Sequence, residues 1–145
     1  MVYTRSRELA RQVFDLSRKF PREETYSLTD QVRRSSRSIG AQIAEAWAKR
    51  PYERSFVAKL VDADGELLET QHWIDVAADC GYVDGATQQS LQAQRDAIGR
   101  MLGSMIAKSA LFCQTEHPLL KETQADYYVS TDPGTSPPPN HRPTD

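Results

Sequence analysis

Apolar side chains recur every three or four positions through most of this chain, the period that lays a stripe along one side of an α-helix. Leu9, Val13, Leu16 and Phe20 set the first stripe and predict a helix from about Arg5 to Lys19. Phe20-Pro21 ends it, because the residue before a proline is pushed out of the helical region and proline has no N–H to donate. Ser27 is placed to cap a second helix, with Asp30 in its first turn as a weak capping box. Leu28, Val32, Ser35, Ile39, Ile43 and Ala46 then form its inward seam, where the small residues Ser35, Ser36 and Gly40 allow close approach of a neighbour.

Arg50-Pro51 marks the next boundary, since proline is tolerated in a first helical turn. Beyond it Phe56, Leu60, Ala63, Leu67, Thr70, Ile74 and Ala77 predict a third helix from Tyr52 to Asp79, closed by Gly81 in the left-handed conformation. Leu91, Ile98, Leu102, Met105, Ser109 and Phe112 predict a fourth from Thr87 to Phe112. Its neighbours Met101 and Ile106 widen the apolar surface and leave room for another subunit. Short connections between four such segments predict an all-α, antiparallel up-down-up-down four-helix bundle. The bundle domain is expected over residues 1–130, with an extra turn or a neighbour contact at Lys121 to Val129. Residues 131–145 carry five prolines and almost no apolar side chains, so they read as a Pro-rich extended or disordered tail.

Composition changes this picture in two places. The 145 residues suffice for one domain with one core, and no run approaches the roughly 18 apolar residues of a membrane span. With no long apolar run after its first basic residues, the chain reads as soluble and cytoplasmic, with no membrane partner. Cys80 and Cys113, near predicted helix ends, read as unpaired thiols of a reducing compartment. The net charge of -2 hides an asymmetry: residues 1–50 hold 11 basic and 6 acidic groups, and residues 51–100 hold 4 and 9. That split fits a surface for nucleic acid or an acidic partner, or complementary faces within an oligomer.

Candidate chemistry is sparse. Glu69 and His72 have the Glu-x-x-His spacing of carboxylate-bridged metal bundles, but the fourth helix supplies only Asp96 as an acid, so no metal or other cofactor is expected. The nucleophile elbow, the phosphate-binding glycine loop and a clustered cysteine and histidine are missing, and Gly81-Tyr82-Val83-Asp84-Gly85 follows no strand. The chain is therefore expected not to be an enzyme. A metal-dependent bundle enzyme using Glu69 and His72 is the least favoured alternative.

The basic residues carry more. Arg33, Arg34 and Arg37 form a patch near the outer side of the second helix, extended around the next turn by Lys49, Arg50 and Arg54. Arginines offer rigid multidentate donors to phosphates, and such a patch binds backbone with little base specificity. The competing reading pairs these arginines with Asp62, Asp64, Glu66 or Glu69 across helices or between subunits. Glu45 is placed to hold Arg50 or Arg54, and Trp47 to cap the core or pack on another copy.

At these residues the chain resembles the small four-helix-bundle proteins encoded by intervening sequences in bacterial 23S ribosomal RNA genes. The resemblance rests on Leu28 to Ser35, on Ser38 to Glu45, on Phe56, Leu60 and Ala63, and on Glu69 and Cys80-Gly81-Tyr82, across about 110 residues. Two positions depart from the family pattern: Ala46 stands where a glycine is common, and Glu66 where a small hydroxyl residue is common. The second change bears on packing or subunit contacts. The resemblance implies a non-enzymatic homo-oligomer, a ring-like pentamer in relatives. It extends to accessory bundle proteins of diversity-generating retroelements, which implies RNA or DNA, or a nucleic-acid-processing protein, as partner, with Arg33, Arg34 and Arg37 the positions carried over.

Overall fold

The computed structural model describes residues 1–113. The expected turn at Lys121 to Val129 and the tail at residues 131–145 lie outside the described residues. Helix α1 spans Val2–Ser17, followed by a short 3-10 turn at Arg22–Glu24. Helices α2 (Leu28–Ala48), α3 (Glu53–Asp79) and α4 (Gly85–Ala107) follow, then the five-residue α5 (Ser109–Cys113). There is no strand among the described residues.

Helix α2 packs most extensively on α3, and the α1–α2, α3–α4 and α1–α4 contacts close the arrangement around a main core, beside which Leu28, Ala77 and Val83 form a second small cluster. Every residue of the stripes on α2 and α3 is buried, with Phe56, Leu60 and Ile39 fully enclosed. Burying side chains of this size contributes roughly 1.5–3 kcal/mol each. Phe56 stacks on Phe112 of α5 with ring centroids 5.9 Å apart. The Thr70 hydroxyl hydrogen-bonds Ser35 Oγ at 3.0 Å inside the α2–α3 seam, so two buried polar groups satisfy each other.

Helix boundaries show where local signals competed. Helix α1 begins at Val2 instead of Arg5, because its buried stripe continues back through Ser6 to Val2, and at its other end Ser17 is buried too. The two serines are accommodated by donating to the carbonyls of Tyr3 (2.7 Å) and Phe14 (2.9 Å). Ser27 does not cap α2 with its side chain; its hydroxyl donates to Glu24 at 2.7 Å, and Glu24 also receives the Leu28 N–H at 3.4 Å. A carboxylate four residues upstream thus replaces the expected cap, and Asp30 forms no reciprocal box. Asp84 starts α4 by accepting from the Thr87 N–H at 2.7 Å, so the helix begins at Gly85, before the expected Thr87. It also ends early: Lys108 leaves the helical region with φ -110 and ψ 27, and the chain resumes as α5, tied to α3 by Ser109 Oγ donating to Glu53 at 2.7 Å.

Gly81 has φ +77 and closes α3 as expected. Its N–H bonds to Ala78 and the N–H of Tyr82 to Ala77, the paired pattern of a left-handed C-cap. Tyr82 then packs its ring 5.7 Å from Phe20 and donates its hydroxyl to Glu24 at 3.2 Å. The Cys80-Gly81-Tyr82 segment is therefore a structural lock between the α3–α4 turn and the start of α2.

Candidate nucleic-acid interface

Arg33 is half-buried and turned into the α1–α2 seam, not outward as the sequence suggests. Its Nε donates to the buried Ser17 Oγ at 2.7 Å, and its guanidinium lies 4.7 Å from the centroid of the Phe14 ring. Arg37 and Arg18 approach the same ring, at 5.6 Å and 6.0 Å. One half-buried phenyl on α1 thus gathers three guanidiniums, two of them from α2. Farther along the seam Arg7 lies 5.8 Å over Tyr3 and faces Arg37 across a cleft of about 210 Å³, whose other walls are Ser6, Ala10, Ser36 and Gly40. Close approach matters here, since a Cβ on Gly40 would stand 3.2 Å from Ser6 Oγ.

Among the described residues, no carboxylate lies at salt-bridge distance from Arg7, Arg18, Arg33, Arg34 or Arg37. Arg11, on the same side of α1, is treated differently: Glu8 and Asp15 hold it at 2.7 Å and 2.9 Å. Its hydrogen bonds draw the Glu8 carboxyl down to about 2. Aromatic backing orients guanidiniums without neutralising them, whereas the carboxylates flanking Arg11 cancel its charge.

The remaining basic residues do not join this seam. Arg34 is exposed and diverges from Arg33 toward α3, where its charge partly offsets the rise that burial imposes on Glu66. This placement favours the cross-helix reading for Arg34, though without a direct ion pair among the described residues. Lys49 and Arg50 follow the C-terminal end of α2, about 18 Å along the helix from Arg37, and Arg54 lies in the first turn of α3. Arg50 is occupied locally: its guanidinium lies 3.7 Å from the Trp47 ring centroid and its Nε donates to the Trp47 carbonyl at 3.0 Å. One continuous patch is therefore replaced by two separate clusters.

Glu45 pairs with neither Arg50 nor Arg54. It takes Lys59 of α3 at 2.7 Å, and that hydrogen bond holds its carboxyl below the usual range. Trp47 is 49% exposed and does not cap the core. With Tyr3, Ile43, Met101, Met105 and Phe112 it lines an open, largely apolar groove of about 1050 Å³, rimmed by Arg5 and Arg100. Ile106 packs against the main core. Glu69 accepts from Trp73 Nε1 at 3.2 Å, His72 is exposed, and no group of three metal-ligating side chains occurs among the described residues.

Sequence reasoning missed Arg7, Phe14, Ser17 and Arg18. Arg7, Phe14 and Arg18 are spaced by seven and four, so one side of α1 carries them all. An aromatic within a row of arginines was the available signal.

Four long helices around a main buried core, with arginines lining the α1–α2 seam, define an all-α bundle protein. Residues 1–104 match the family described as 23S rRNA-intervening sequence protein, and the chain belongs to that family. It is similar to a protein of unknown function from the S23 ribosomal protein family of Bacteroides thetaiotaomicron, known as a crystal structure. That likeness has 28% identity and a TM-score of 0.66, covering 73% of this chain and 98% of that chain. No curated protein matches the chain. No helix among the described residues is long and apolar enough to cross a membrane.

Proposed function

We propose that this protein is a non-enzymatic, homo-oligomeric adaptor, built as an up-down-up-down bundle, that binds structured RNA or DNA through the arginine seam between α1 and α2. The observation that carries this reading is the gathering of Arg18, Arg33 and Arg37 around Phe14 with no carboxylate beside them among the described residues. Membership of a family tied to ribosomal RNA intervening sequences supports a nucleic-acid context. The apolar groove holding Trp47 and Met101 supports self-association, with the pentamer of the family resemblance as the expected ring. Lys49, Arg50 and Arg54 are a secondary contact at the other end of α2.

A second reading is a protein-interaction module without nucleic-acid binding, favoured by the electrostatic influence of Arg34 on Glu66 of α3. Sedimentation velocity of the full chain, alone and with a mixed pool of structured RNA and DNA at two salt concentrations, separates the two. The adaptor predicts an oligomer that co-migrates with nucleic acid at low salt and releases it at high salt. An oligomer that never co-migrates rejects the adaptor and turns the search to protein partners.

A further inference from the structure

We infer that α1 supplies half of the nucleic-acid seat: Arg7 and Arg18 of α1, with Arg37 of α2 between them, form a track along the α1–α2 groove for one phosphodiester strand. This deepens the proposed function and rests on it.

Arg7 of α1 and Arg18, which caps its C-terminal end with helical backbone angles, lie eleven residues apart, close to three full turns, so they emerge on the same side about 16 Å apart. That length spans a short run of phosphates of one strand. Arg37 enters between them from α2, facing Arg7 across the cleft and Phe14 on its other side. The cleft walls Ala10 and Gly40 carry little or no side chain, which leaves room for a phosphate between the two guanidiniums.

The hydroxyls nearby are already committed. Ser6 donates to the Tyr3 carbonyl and Ser36 to the Arg33 carbonyl, so the donors left for an anion are the guanidiniums. Tyr3 and Phe14 hold those guanidiniums in place without cancelling their charge, which reduces the ordering that binding must impose. Contacts of this kind position a backbone and carry no base code, so binding is indifferent to sequence.

Arg11 supplies an internal control. It lies on the same side of α1, between Arg7 and Arg18, but Glu8 and Asp15 neutralise it. Releasing it should add a cation to the track.

The test is fluorescence anisotropy of the full chain with a labelled 20-base-pair DNA duplex of mixed sequence and a second of unrelated sequence, over a potassium chloride series. Each phosphate contact contributes about 0.9 to the slope of log affinity against log salt. Arg7→Gln/Arg18→Gln should bind about tenfold more weakly at low salt, with a slope lower by about 1.8, equally on both duplexes. Glu8→Gln/Asp15→Asn should bind more tightly, with a slope higher by about 0.9. Circular dichroism confirms that each variant keeps its helical content.

Wild-type affinity and slope in both double variants would overturn the α1 track. If Arg34→Gln/Arg37→Gln then abolishes binding, the proposed function stands and its seat lies on α2 alone. If the wild-type chain binds neither duplex the track falls, and the proposed function falls with it when the mixed pool of structured RNA and DNA also fails to co-migrate.

Discussion

On the α3 side of α2, Lys59 sits between Glu45 at 2.7 Å and Asp62 at 3.9 Å, with Gln42 also in reach. On the α1 side, Arg18, Arg33 and Arg37 crowd one phenyl ring and meet no carboxylate among the described residues. Both seams carry cations, yet only one leaves charge for a partner. The number of basic residues on a helix is therefore a poor guide to a binding face. What surrounds each cation decides whether its charge is spent within the fold or offered outside it.

The strongest test of this contrast separates packing from charge. Leu60→Ala, at a fully buried α3 position, should cost about 2–5 kcal/mol in urea denaturation while leaving the salt slope of nucleic-acid binding unchanged. A changed slope would mean that the two seams are not independent.

Next in size is a pair of substitutions within the arginine seam. Arg33→Met removes the hydrogen bond to buried Ser17 and should cost about 1.5 kcal/mol, whereas Arg37→Met, at an exposed position, should change stability by about 0.5 kcal/mol or less. Equal effects in thermal denaturation would remove the distinction between a structural and an available guanidinium on this seam.

Smaller still is the response of Glu66, whose carboxyl is pushed up chiefly by burial and further by the Glu69 charge. A raised acid pKa means the folded state disfavours the charged form. Stability therefore falls as pH rises from below the usual carboxylate value through the raised one. Glu66→Gln should gain roughly 0.5 kcal/mol at neutral pH and flatten that part of the pH profile. A profile unchanged by the substitution would show that Arg34 fully compensates the carboxylate.

The smallest effect belongs to the exposed Glu8. Its pKa, lowered from 4.5 to about 2 by the Arg11 hydrogen bond, gives a contribution that is complete above the unfolded value and is lost as pH falls through the folded one. Glu8→Gln should accordingly narrow the stability difference between pH 5 and pH 2, roughly the window that this shift defines. Solvent screening keeps the change slight, and acid titration followed by circular dichroism reads it.

Local pattern was a good guide wherever one helix decides its own fate. All seven stripe residues of α3, from Phe56 to Ala77, are buried, and Gly81 adopts the positive φ its position called for. The start of α1 was less legible because Ser6 and Ser17 are polar yet buried, and only the satisfaction of their hydroxyls by local carbonyls makes that tolerable. Ser27 is the local candidate for the cap of α2 because it adjoins the helix, while Glu24 reaches it through the intervening turn and is itself held by Tyr82. Arg50 and Arg54 lie near Glu45 in sequence, but a helix side chain meets the neighbour that packing brings beside it, and that neighbour is Lys59.

By itself the sequence determined the all-α class, the faces that pack inward and the limits of α3, because period, proline and glycine act over a few residues. The tertiary structure alone decided which arginines stay available. Arg33 and Arg34 are adjacent in the chain, but a step of about 100° around the helix turns one toward Ser17 and Phe14 and the other toward the acids of α3. Charge is written in the residue, whereas its partner is set by the rotation and packing of whole helices.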